Sequence, residues 1–568
     1  IELAKFRRDL VLKNLFENNY ISKIRYDQFI KEEISLKKRK KIFLEDTRYF
    51  VEDIRKDVID KLGYEKVYKQ GLNINTPINL KLQKIATQSL RNGLLSYDKR
   101  KGWRGAILNK KYSKQWHKDL EKFKLEKSIK WELAIIKKIN QFSVEIETDE
   151  SKKGKINYEN ISWTKKEFNE LFKPGDIIYV EKIKNNIFSL KQIPKINGGI
   201  VVMDPFTGRI LALSGGFSFK KSEFNRATQA LRQPGSAFKP FVYLAALDRG
   251  FTPSTLILDA PFVIDQGPGL PKWRPANYTK KFYGPSTMRL GIEKSRNLMT
   301  VRLAQTVGIE TIIKYARKFN ILDNSPLGLS VSLGAVETSL LRLTTAYAML
   351  VNGGKEIKPS LVDRIQDRHG KTVFKHDNRV CPGCQWEFWT NQPVPKIPDI
   401  RATLTERSSA FQMVSMLKGA IERGTGKSIR DLGKPLAGKT GTTNKSLDTW
   451  FLGFSPDLVV GVFVGFDQPR SLGDREQGAS VAAPIFKNFM KEALSDKPGI
   501  PFRTPPDIRL VRVNASNGKP ALAGETKGII LEAFKKTNFS SQIGVVIDKR
   551  REFNPKTTIS PSGTGGLY

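Results

Sequence analysis

The feature that most constrains the fold of this chain is a set of five short apolar segments on either side of a long helical region. GGIVVMDPFTGRILALSGG, residues 198–216, predicts a hairpin because two apolar runs flank the turn PFTG. PLAGKTGTT, DTWFLGFSP and LVVGVFVGFD, within residues 435–467, predict three further strands joined by short turns. Residues 237–350 show mainly helical and loop patterns. The sequence therefore predicts an α+β domain with one five-stranded antiparallel sheet packed by helices.

The rest of the chain predicts a multidomain protein. The expected segments are a Lys/Arg-rich helical stretch (1–45), a linker or pedestal (46–107), an OB-like β-barrel insertion (108–195), the sheet domain (196–505) and a C-terminal tail (506–568). In the linker, YFVEDIRKDVIDKLGYEKVYKQG is typical of one amphipathic helix closed by Gly71. Short alternating runs such as ELAIIKKI and FSVEIE favour the barrel. The Gly/Pro/Ser-rich tail, ending in SGTGGLY, is expected to be mobile.

The charge balance narrows the possible partners. The chain has 568 residues, with 97 Lys and Arg against 57 Asp and Glu, and a formal net charge of +40. Its lysines are spread through every segment, and no zinc-finger spacing, RNP-type motif or basic-region heptad appears. We therefore expect no nucleic-acid partner, and an anionic membrane surface or a polyanionic wall fits the charge better.

Ser236 begins the segment that carries candidate chemistry. In RQPGSAFKPFVYLAAL, residues 232–247, a serine and a lysine stand three positions apart after a Pro-Gly break. Serine is a favoured helix N-cap, so capping is one interpretation. The other makes Ser236 a nucleophile with Lys239 as its base, because positions i and i+3 share a helix face and Lys239 could hydrogen-bond Ser236 directly. Pro240 fits a helix that starts close to Ser236.

Two further elements favour the catalytic interpretation. SRN lies at 295–297, and KTGT lies at 439–442 at the start of a predicted strand. Burial, the positive end of the helix macrodipole and a second cation, Lys439, would each favour a neutral Lys239. The hydroxyl of Ser295 is interpreted as a proton relay toward a leaving amine.

The same elements predict a binding site for a peptide with a free C-terminus. Asn297 offers an amide to a peptide carbonyl, and Gly441 leaves room for a substrate backbone to add along the strand. The backbone N–H groups of Ser236 and Thr442 would form an oxyanion hole. The groups expected to face a substrate carboxylate are the hydroxyls of Thr440 and Thr442 and the amine of Lys439.

S-x-x-K, S-x-N and K-T-G in this order resemble the signature of penicillin-binding proteins and class A β-lactamases. NRATQALRQPGSAFKPF, PSTMRLGIEKSRN and LAGKTGTTNKSLDTWFLGFSPDLVVGVFVGFD resemble the transpeptidase domain of class A, bifunctional penicillin-binding proteins of the one-A type, and YFVEDIRKDVIDKLG resembles their linker. The resemblance covers nearly the whole chain. It implies a serine-type D-Ala-D-Ala transpeptidase or carboxypeptidase that uses neither a cofactor nor a metal.

In such an enzyme Ser236 attacks the penultimate D-Ala carbonyl of a peptidoglycan stem peptide, the terminal D-Ala leaves, and an amine of a neighbouring stem resolves the acyl-enzyme. The resemblance implies that β-lactam antibiotics acylate the same serine. It also implies that the OB-like module meets other cell-wall synthesis proteins.

One departure from the family concerns the N-terminal part. Class A members also carry a glycosyltransferase domain with a membrane helix, and its glutamate motif of the E-D-x-x-F-x-x-H type is absent here. Residues 1–45 resemble only the C-terminal end of that domain. We therefore expect a bifunctional parent protein, held in the inner membrane by one N-terminal span outside this sequence, with the present portion in the periplasm.

Two alternatives share the motif set. A serine β-lactamase must hydrolyse its acyl-enzyme with a water activated by a glutamate, and no E-x-x-L-N element occurs between residues 240 and 435. A catalytically silent penicillin sensor or scaffold would keep all three motifs, so only activity separates it from an enzyme.

The chain has three histidines and two cysteines. His117 lies in a Lys-rich polar stretch, where a solvated side chain is expected. His369, His376, Cys381 and Cys384 could form a metal site, but their spacing is loose and Pro382 and Gly383 make a tight turn. A local Cys381–Cys384 disulfide is the preferred hypothesis, with a reduced pair as the alternative.

Overall fold

The computed structural model describes residues 2–34, 44–113, 115–265, 269, 271–323, 328–381, 383–384, 386–388, 390–395, 397–536 and 546–547. The chain divides into two compact units, residues 1–44 and 45–568. Within the described ranges, no helix combines the length and the apolar character needed to cross a bilayer.

The first unit is a pair of helices, α1 (Glu2–Glu17) and α2 (Lys23–Phe29). Ser22 caps α2, because its hydroxyl accepts a hydrogen bond from the backbone N–H of Arg25 at 3.4 Å. The rings of Phe16 and Tyr26 stack at 5.2 Å between centroids and join the two helices. The predicted helical stretch is therefore a helical hairpin in the part that the structure describes.

The second unit begins with α3 (Arg48–Leu62), α4 (Tyr64–Lys69), the short strand β1 (Asn73–Asn75) and the long helix α5 (Leu80–Arg100). The prediction of one helix up to Gly71 is wrong, because the chain breaks at Gly63 between α3 and α4. Gly63 has φ of +84°, a conformation that glycine adopts without strain. Asn79 caps α5 by accepting from the N–H of Leu82 at 3.0 Å.

The OB-like insertion is a closed β-barrel. Its elements are β2 (Leu108–Asn109), β3 (Trp131–Ile139), β4 (Ser143–Thr148), β5 (Lys153–Asn157), α6 (Phe168–Leu171), β6 (Asp176–Lys184) and β7 (Ile187–Lys191). The strand order is β2–β6–β3–β4–β5–β7, and pairing of β7 with β6 closes the barrel. Inward side chains such as Ile136, Val144 and Ile178 fill its interior. The predicted OB-like barrel is confirmed.

The sheet domain and the C-terminal region contain the remaining elements. Their strands are β8 (Asn197–Met203), β9 (Ile210–Ser214), β10 (Leu256–Asp259), β11 (Gly284–Thr287), β12 (Arg364–Gln366), β13 (Thr372–Lys375), β14 (Ala437–Thr442), β15 (Asp448–Ser455), β16 (Leu458–Gly465), β17 (Ile508–Asn514), β18 (Ile529–Lys535) and β19 (Val546–Ile547). Their helices are α7 (Lys239–Asp248), α8 (Met288–Glu293), α9 (Asn297–Val307), α10 (Ile309–Lys318), α11 (Leu340–Val351), α12 (Arg407–Glu422) and α13 (Ala482–Ala493).

The five predicted strands form one antiparallel sheet in the order β14–β15–β16–β8–β9. Both faces are covered: Val201 and Met203 pack among residues of α7, α9 and α11, whereas Ile200 and Val202 pack among residues of α5 and α13. Burial on both faces explains why the strands read as nearly continuous apolar runs. The predicted sheet packed by helices is confirmed, and β14 lies at its edge.

Two small three-stranded sheets accompany the main sheet, and the sequence patterns predict neither. β10 and β11, inside the region whose sequence predicts helices and loops, pair in antiparallel fashion, and β19, from the predicted mobile tail, pairs with β10 in parallel fashion. β1 pairs with β12, and β12 pairs with β13, so the linker is joined to the sheet domain through the backbone.

The barrel is also joined to the sheet domain, through the buried carboxylate of Glu126. This carboxylate accepts hydrogen bonds from Arg91 of α5 at 3.0 Å and from the hydroxyl of Ser218 at 2.5 Å. The backbone N–H of Phe219 donates to it at 3.3 Å. Linker, barrel and sheet domain therefore meet at one charged group.

A hairpin of β17 and β18 stands where the beginning of a mobile tail was expected. Gln412 of α12 donates to the carbonyl of Ala533 at 2.8 Å, which docks the hairpin on the helices. The alternating apolar residues of IRLVRVN and IILEAFK are typical of strands, but the Gly, Pro and Ser residues around them favoured a mobile tail. The end SGTGGLY lies outside the described residues.

Candidate active site

Ser236 lies in a tight turn that leads directly into a buried helix. Residues Gly235–Phe238 form a 3₁₀ turn, and α7 begins at Lys239 with Pro240 in its first turn, as the sequence predicted. Gly235 and Ala237 are buried, whereas Ser236 between them is partly exposed. The turn therefore presents the serine from an otherwise buried segment.

Strand β14 lies tightly against this turn. A Cβ atom added at Gly235 would lie 2.5 Å from the carbonyl oxygen of Thr442, and one added at Gly441 would lie 2.5 Å from that of Pro234. Real side chains do not tolerate such contacts, so both positions require glycine. The space at Gly441 is therefore taken up by the chain itself, not left open for a substrate backbone as the sequence suggested.

Lys239 is fully buried and is held by the SRN segment. Its Nζ donates to the carbonyl oxygen of Ser295 at 2.8 Å and to Oδ1 of Asn297 at 2.6 Å. The expected direct hydrogen bond to Ser236 is not among the contacts of the described residues. Two strong oxygen acceptors compete for the lysine hydrogens, and the 3₁₀ turn before α7 changes the offset between the two side chains.

Lys439 reaches the same serine from strand β14. Its Nζ donates to Oγ of Ser295 at 2.7 Å and to the carbonyl oxygen of Thr440 at 3.0 Å. Ser295 has φ of +55°, which is uncommon for a residue other than glycine. The structure thus brings Lys239, Ser295, Asn297 and Lys439 into one hydrogen-bonded cluster.

Burial changes the acidity of both lysines. It lowers the pKa of Lys239 well below its usual range, and the nearby charge of Lys439 lowers it further, while the carboxylate of Asp259 acts in the opposite direction. Burial lowers the pKa of Lys439 to about 7. Two of the causes expected from the sequence, burial and the second cation, are therefore present.

The two threonines of β14 contact neighbouring loops. The hydroxyls of Thr440 and Thr425 lie 2.9 Å apart, and Oγ1 of Thr442 accepts from the backbone N–H of Gly478 at 3.0 Å. Trp450 of β15 donates through Nε1 to the carbonyl oxygen of Gln233, at 2.9 Å, and so fixes the approach to the Ser236 turn.

Several residues at the site were missed from the sequence. Gln477 donates through Nε2 to the hydroxyl of Tyr278, which connects the segment after β16 with the segment before β11. Asn277, next to Tyr278, donates to the buried carboxylate of Asp259. None of these residues stands in a local motif, and long-range contacts alone bring them together.

The cysteines and histidines lie apart from this cluster. Cys381 and Cys384 are joined by a disulfide with a Cα–Cα distance of 5.4 Å. Nε2 of His376 contacts the carbonyl oxygen of Thr207 at 2.9 Å, and Nε2 of His369 accepts from Arg368 at 3.1 Å. In the part of the chain that the structure describes, no group of three or more His, Cys, Asp or Glu side chains could hold a metal ion.

Comparison with known protein families gives the class. Residues 198–491 match the penicillin binding protein transpeptidase domain, and residues 103–196 match the penicillin-binding protein OB-like domain. The sheet domain and the barrel coincide with these two matches. The fold and the assembled motifs thus define a penicillin-binding transpeptidase.

Individual relatives narrow the assignment. Penicillin-binding protein 1A of Rickettsia bellii is 42% identical over 542 residues, which are 94% of this chain and 68% of that protein. Penicillin-binding protein 1A of Pseudomonas aeruginosa is 33% identical over 583 residues, or 93% of this chain and 69% of that protein. The crystal structure of penicillin-binding protein 1A from Haemophilus influenzae matches with a TM-score of 0.77 and 31% identity, covering 94% of this chain and 82% of that chain.

The chain belongs to the penicillin-binding protein 1A family, and its sheet domain is a peptidoglycan transpeptidase. The resemblance, the fold class and the general function predicted from the sequence are confirmed. Neither the β-lactamase nor the silent-sensor alternative is favoured by these relatives.

Proposed function

We propose that the chain is a serine-type D-Ala-D-Ala transpeptidase that works through an acyl-enzyme on Ser236, and that β-lactams acylate the same residue. The observation that supports this most strongly is the pair of buried lysines bonded to Ser295, one of them in the helix that follows Ser236. Buried lysines with lowered pKa values are suited to proton transfer near neutral pH.

Acylation begins with a neutral Lys239. A neutral amine has two hydrogens and one lone pair, and the bonds to Ser295 and Asn297 use both hydrogens. The lone pair is then available to take the proton of the Ser236 hydroxyl as Oγ attacks the penultimate D-Ala carbonyl. Backbone N–H groups of Ser236 and Thr442 stabilise the oxyanion that forms.

Collapse of the tetrahedral intermediate releases the terminal D-Ala. The C–N bond breaks, and the leaving amine takes a proton from the hydroxyl of Ser295, which receives the proton held by Lys239. Oγ of Ser295 lies 3.5 Å from Lys239 Nζ and 2.7 Å from Lys439 Nζ, so Lys439 supports the charge on this relay. An ester on Ser236 remains.

The substrate strand adds to β14 along the edge of the sheet that no other strand of this sheet pairs with. The hydroxyls of Thr440 and Thr442, with Lys439 behind them, face the terminal carboxylate, and the remaining N–H of the Asn297 amide faces a peptide carbonyl. Gly441 contributes by letting β14 approach the serine turn.

Deacylation transfers the peptide to an amine of a second stem. The amine nitrogen attacks the ester carbonyl, the C–O bond to Ser236 breaks, and Oγ regains a proton from Lys239, which had accepted it from the amine. Water in place of the amine gives a carboxypeptidase reaction with the same proton balance.

We infer the cellular location and the partners from the family and from the net charge. We place this portion on the periplasmic side of the inner membrane, with a single-pass anchor and a glycosyltransferase domain in the parent protein. The net charge of +40 suits an anionic membrane surface or wall polymer, and the OB-like barrel offers a surface to other cell-wall synthesis proteins.

Labelling with a fluorescent penicillin tests the proposal. We expect one covalent label per wild-type chain, no label on Ser236→Ala, and release of D-Ala from a stem pentapeptide by the wild type only. A labelled Ser236→Ala protein would contradict the assignment of the nucleophile, and an unlabelled, folded wild type would contradict the acyl-enzyme itself.

A further inference from the structure

Asp259 is a fully buried carboxylate at the end of β10 that no step of the proposed mechanism uses. Its Oδ1 and Oδ2 accept from Nδ2 of Asn277 at 2.8 and 3.1 Å. Burial raises the pKa of Asp259, while the hydrogen bonds from Asn277 and the charge of Arg296, whose Nη1 lies 3.6 Å from Oδ2, act in the opposite direction. A buried charge is costly, so its retention beside the cluster needs a reason.

Asn277 connects this carboxylate to the start of α9. Its Oδ1 accepts from the backbone N–H groups of Asn297 at 2.8 Å and of Leu298 at 3.3 Å. These N–H groups lack partners inside the helix, and Arg296, at the N-cap position, makes no capping hydrogen bond with its side chain. Asn277 therefore caps α9 from a distant segment.

The neighbouring residue fixes the orientation of the Asn297 amide. Nδ2 of Asn297 donates to the carbonyl oxygen of Ala276 at 2.7 Å, so Oδ1 must face the other way. That oxygen accepts from Lys239 Nζ at 2.6 Å. Ala276 and Asn277 thus hold both the backbone and the side chain of Asn297, and through it the amine of Lys239.

We infer that Asp259 and Asn277 are positioning residues that orient the amide of Asn297 and thereby aim the Lys239 amine at Ser236. The inference rests on the proposed function of Lys239 as the base. Asp259 fixes the side chain of Asn277, Asn277 fixes the start of α9, and Asn297 takes one hydrogen of the lysine amine.

Asp259 also acts on Lys239 by its charge. It favours the ammonium form, against burial and the charge of Lys439, so its removal should lower the pKa of Lys239. The titratable and charged groups that face this pair are Lys439 from β14, Arg296 and Tyr283 from the segments beside α9, Arg302 from α9 and Tyr243 from α7.

The test measures acylation rate against pH with a fluorescent penicillin for Asp259→Asn and Asn277→Ala. Asparagine at 259 can still accept from Asn277, so we expect a limiting rate within about threefold of wild type. The acid limb of the profile, where the rate rises as Lys239 loses its proton, should move to lower pH by about half a unit or more. Alanine at 277 removes the cap and the orientation, so we expect the limiting rate to fall by about 10- to 100-fold.

A matched pair elsewhere in the second unit supplies the control. Asp53 of α3 is buried and accepts from Nδ2 of Asn225 and from the hydroxyl of Thr228, each at 2.8 Å. Asp53→Asn and Asn225→Ala disturb the same kind of contact away from Lys239. Both should lower the melting temperature but leave the rate–pH profile unchanged.

The possible results distinguish the positioning role of Asp259 and Asn277 from the proposed acyl-enzyme function. A folded Asn277→Ala protein with the wild-type limiting rate, or an unmoved acid limb in Asp259→Asn, overturns the positioning role. Equal changes in the Asp53 and Asn225 variants also overturn it, because they would show general loosening of the fold. If Asp259→Asn does not fold, Asn277→Ala decides alone. Absence of any adduct in the wild type would instead contradict the proposed function.

Discussion

Lys239 and Lys439 donate to the same residue from different elements: Lys439 to the hydroxyl of Ser295 at 2.7 Å, and Lys239 to its carbonyl oxygen at 2.8 Å. Two fully buried amines so close to one residue cannot both carry a full charge cheaply. The arrangement therefore favours one neutral lysine, and Lys239 is the one beside the serine turn.

Lys239→Arg should abolish acylation although the charge is kept. Arginine does not lose its proton in proteins, and its planar guanidinium would need different acceptors from Ser295 and Asn297. The rate of labelling by fluorescent penicillin should fall by at least about a hundredfold, since a general base contributes roughly 10²–10⁴-fold. Lys61→Arg, in an exposed ion pair with Asp57, is the control and should label normally. Normal acylation of Lys239→Arg would refute the role of the base.

Lys439 should make stability depend on pH above neutrality. Its pKa is about 7 in the folded chain and about 10.5 when unfolded, so between these values the unfolded state binds more protons and stability rises with pH. Below about pH 7 the cost of burying the ammonium is fully present. The melting temperature of wild type relative to Lys439→Met should therefore be higher at pH 9 than at pH 6. A difference independent of pH would show that Lys439 has an ordinary pKa.

The acyl-enzyme formed with penicillin should persist for minutes or longer. Rapid hydrolysis would need a positioned water and a second base, and each tenfold gain in rate requires about 1.4 kcal/mol less barrier. Intact-mass measurements should show a stable adduct that is absent in Ser236→Ala. Rapid turnover of penicillin without an accumulated adduct would indicate a hydrolase instead.

Glu532→Gln should clearly lower the free energy of unfolding, although residue 532 lies in the C-terminal region. This buried carboxylate of β18 accepts two hydrogen bonds from Arg289 of α8, both at 2.5 Å. Glutamine at 532 removes this charge and leaves the buried Arg289 with the carboxylate of Glu293, at 3.3 Å, as its ionic partner, so we expect a cost of about 1.5–3 kcal/mol. Asp57→Asn, in the exposed pair with Lys61, should cost less than about 1 kcal/mol. Denaturant titration of both variants checks the contrast.

Local patterns were enough to predict the sheet and the main motif residues. The strands around KTGT and LVVGVFVGFD are apolar because both faces of the sheet are covered, and that burial is visible in the sequence. Ser236, Lys239, Ser295 and Lys439 could be singled out because each stands in a short motif within a recognisable element.

The rest depends on contacts between distant segments. Nothing local to Asp259, Asn277 or Gln477 indicates that they lie near the serine, because only the folded chain brings their loops together. The carbonyl oxygen of Ser295 could not be predicted as an acceptor of Lys239, because a backbone carbonyl carries no side-chain signature, and Asn297 was predicted to hold a substrate carbonyl instead. Gly63 is a residue typical of a helix end, but the apolar periodicity continues from α3 into α4 and so favoured a single helix.

The sheet order has a consequence for how the chain folds. β8 pairs with β9 on one side, but its other partner, β16, is synthesised only after α7 to α12. During synthesis one edge of β8 therefore stays unpaired for a long time, and such non-local pairing is slow. Strand β14 reaches the sheet only through β15, so a nascent chain that ends just after Thr442 already contains Ser236, Lys239, Ser295 and Lys439 but cannot yet assemble them into a catalytic centre.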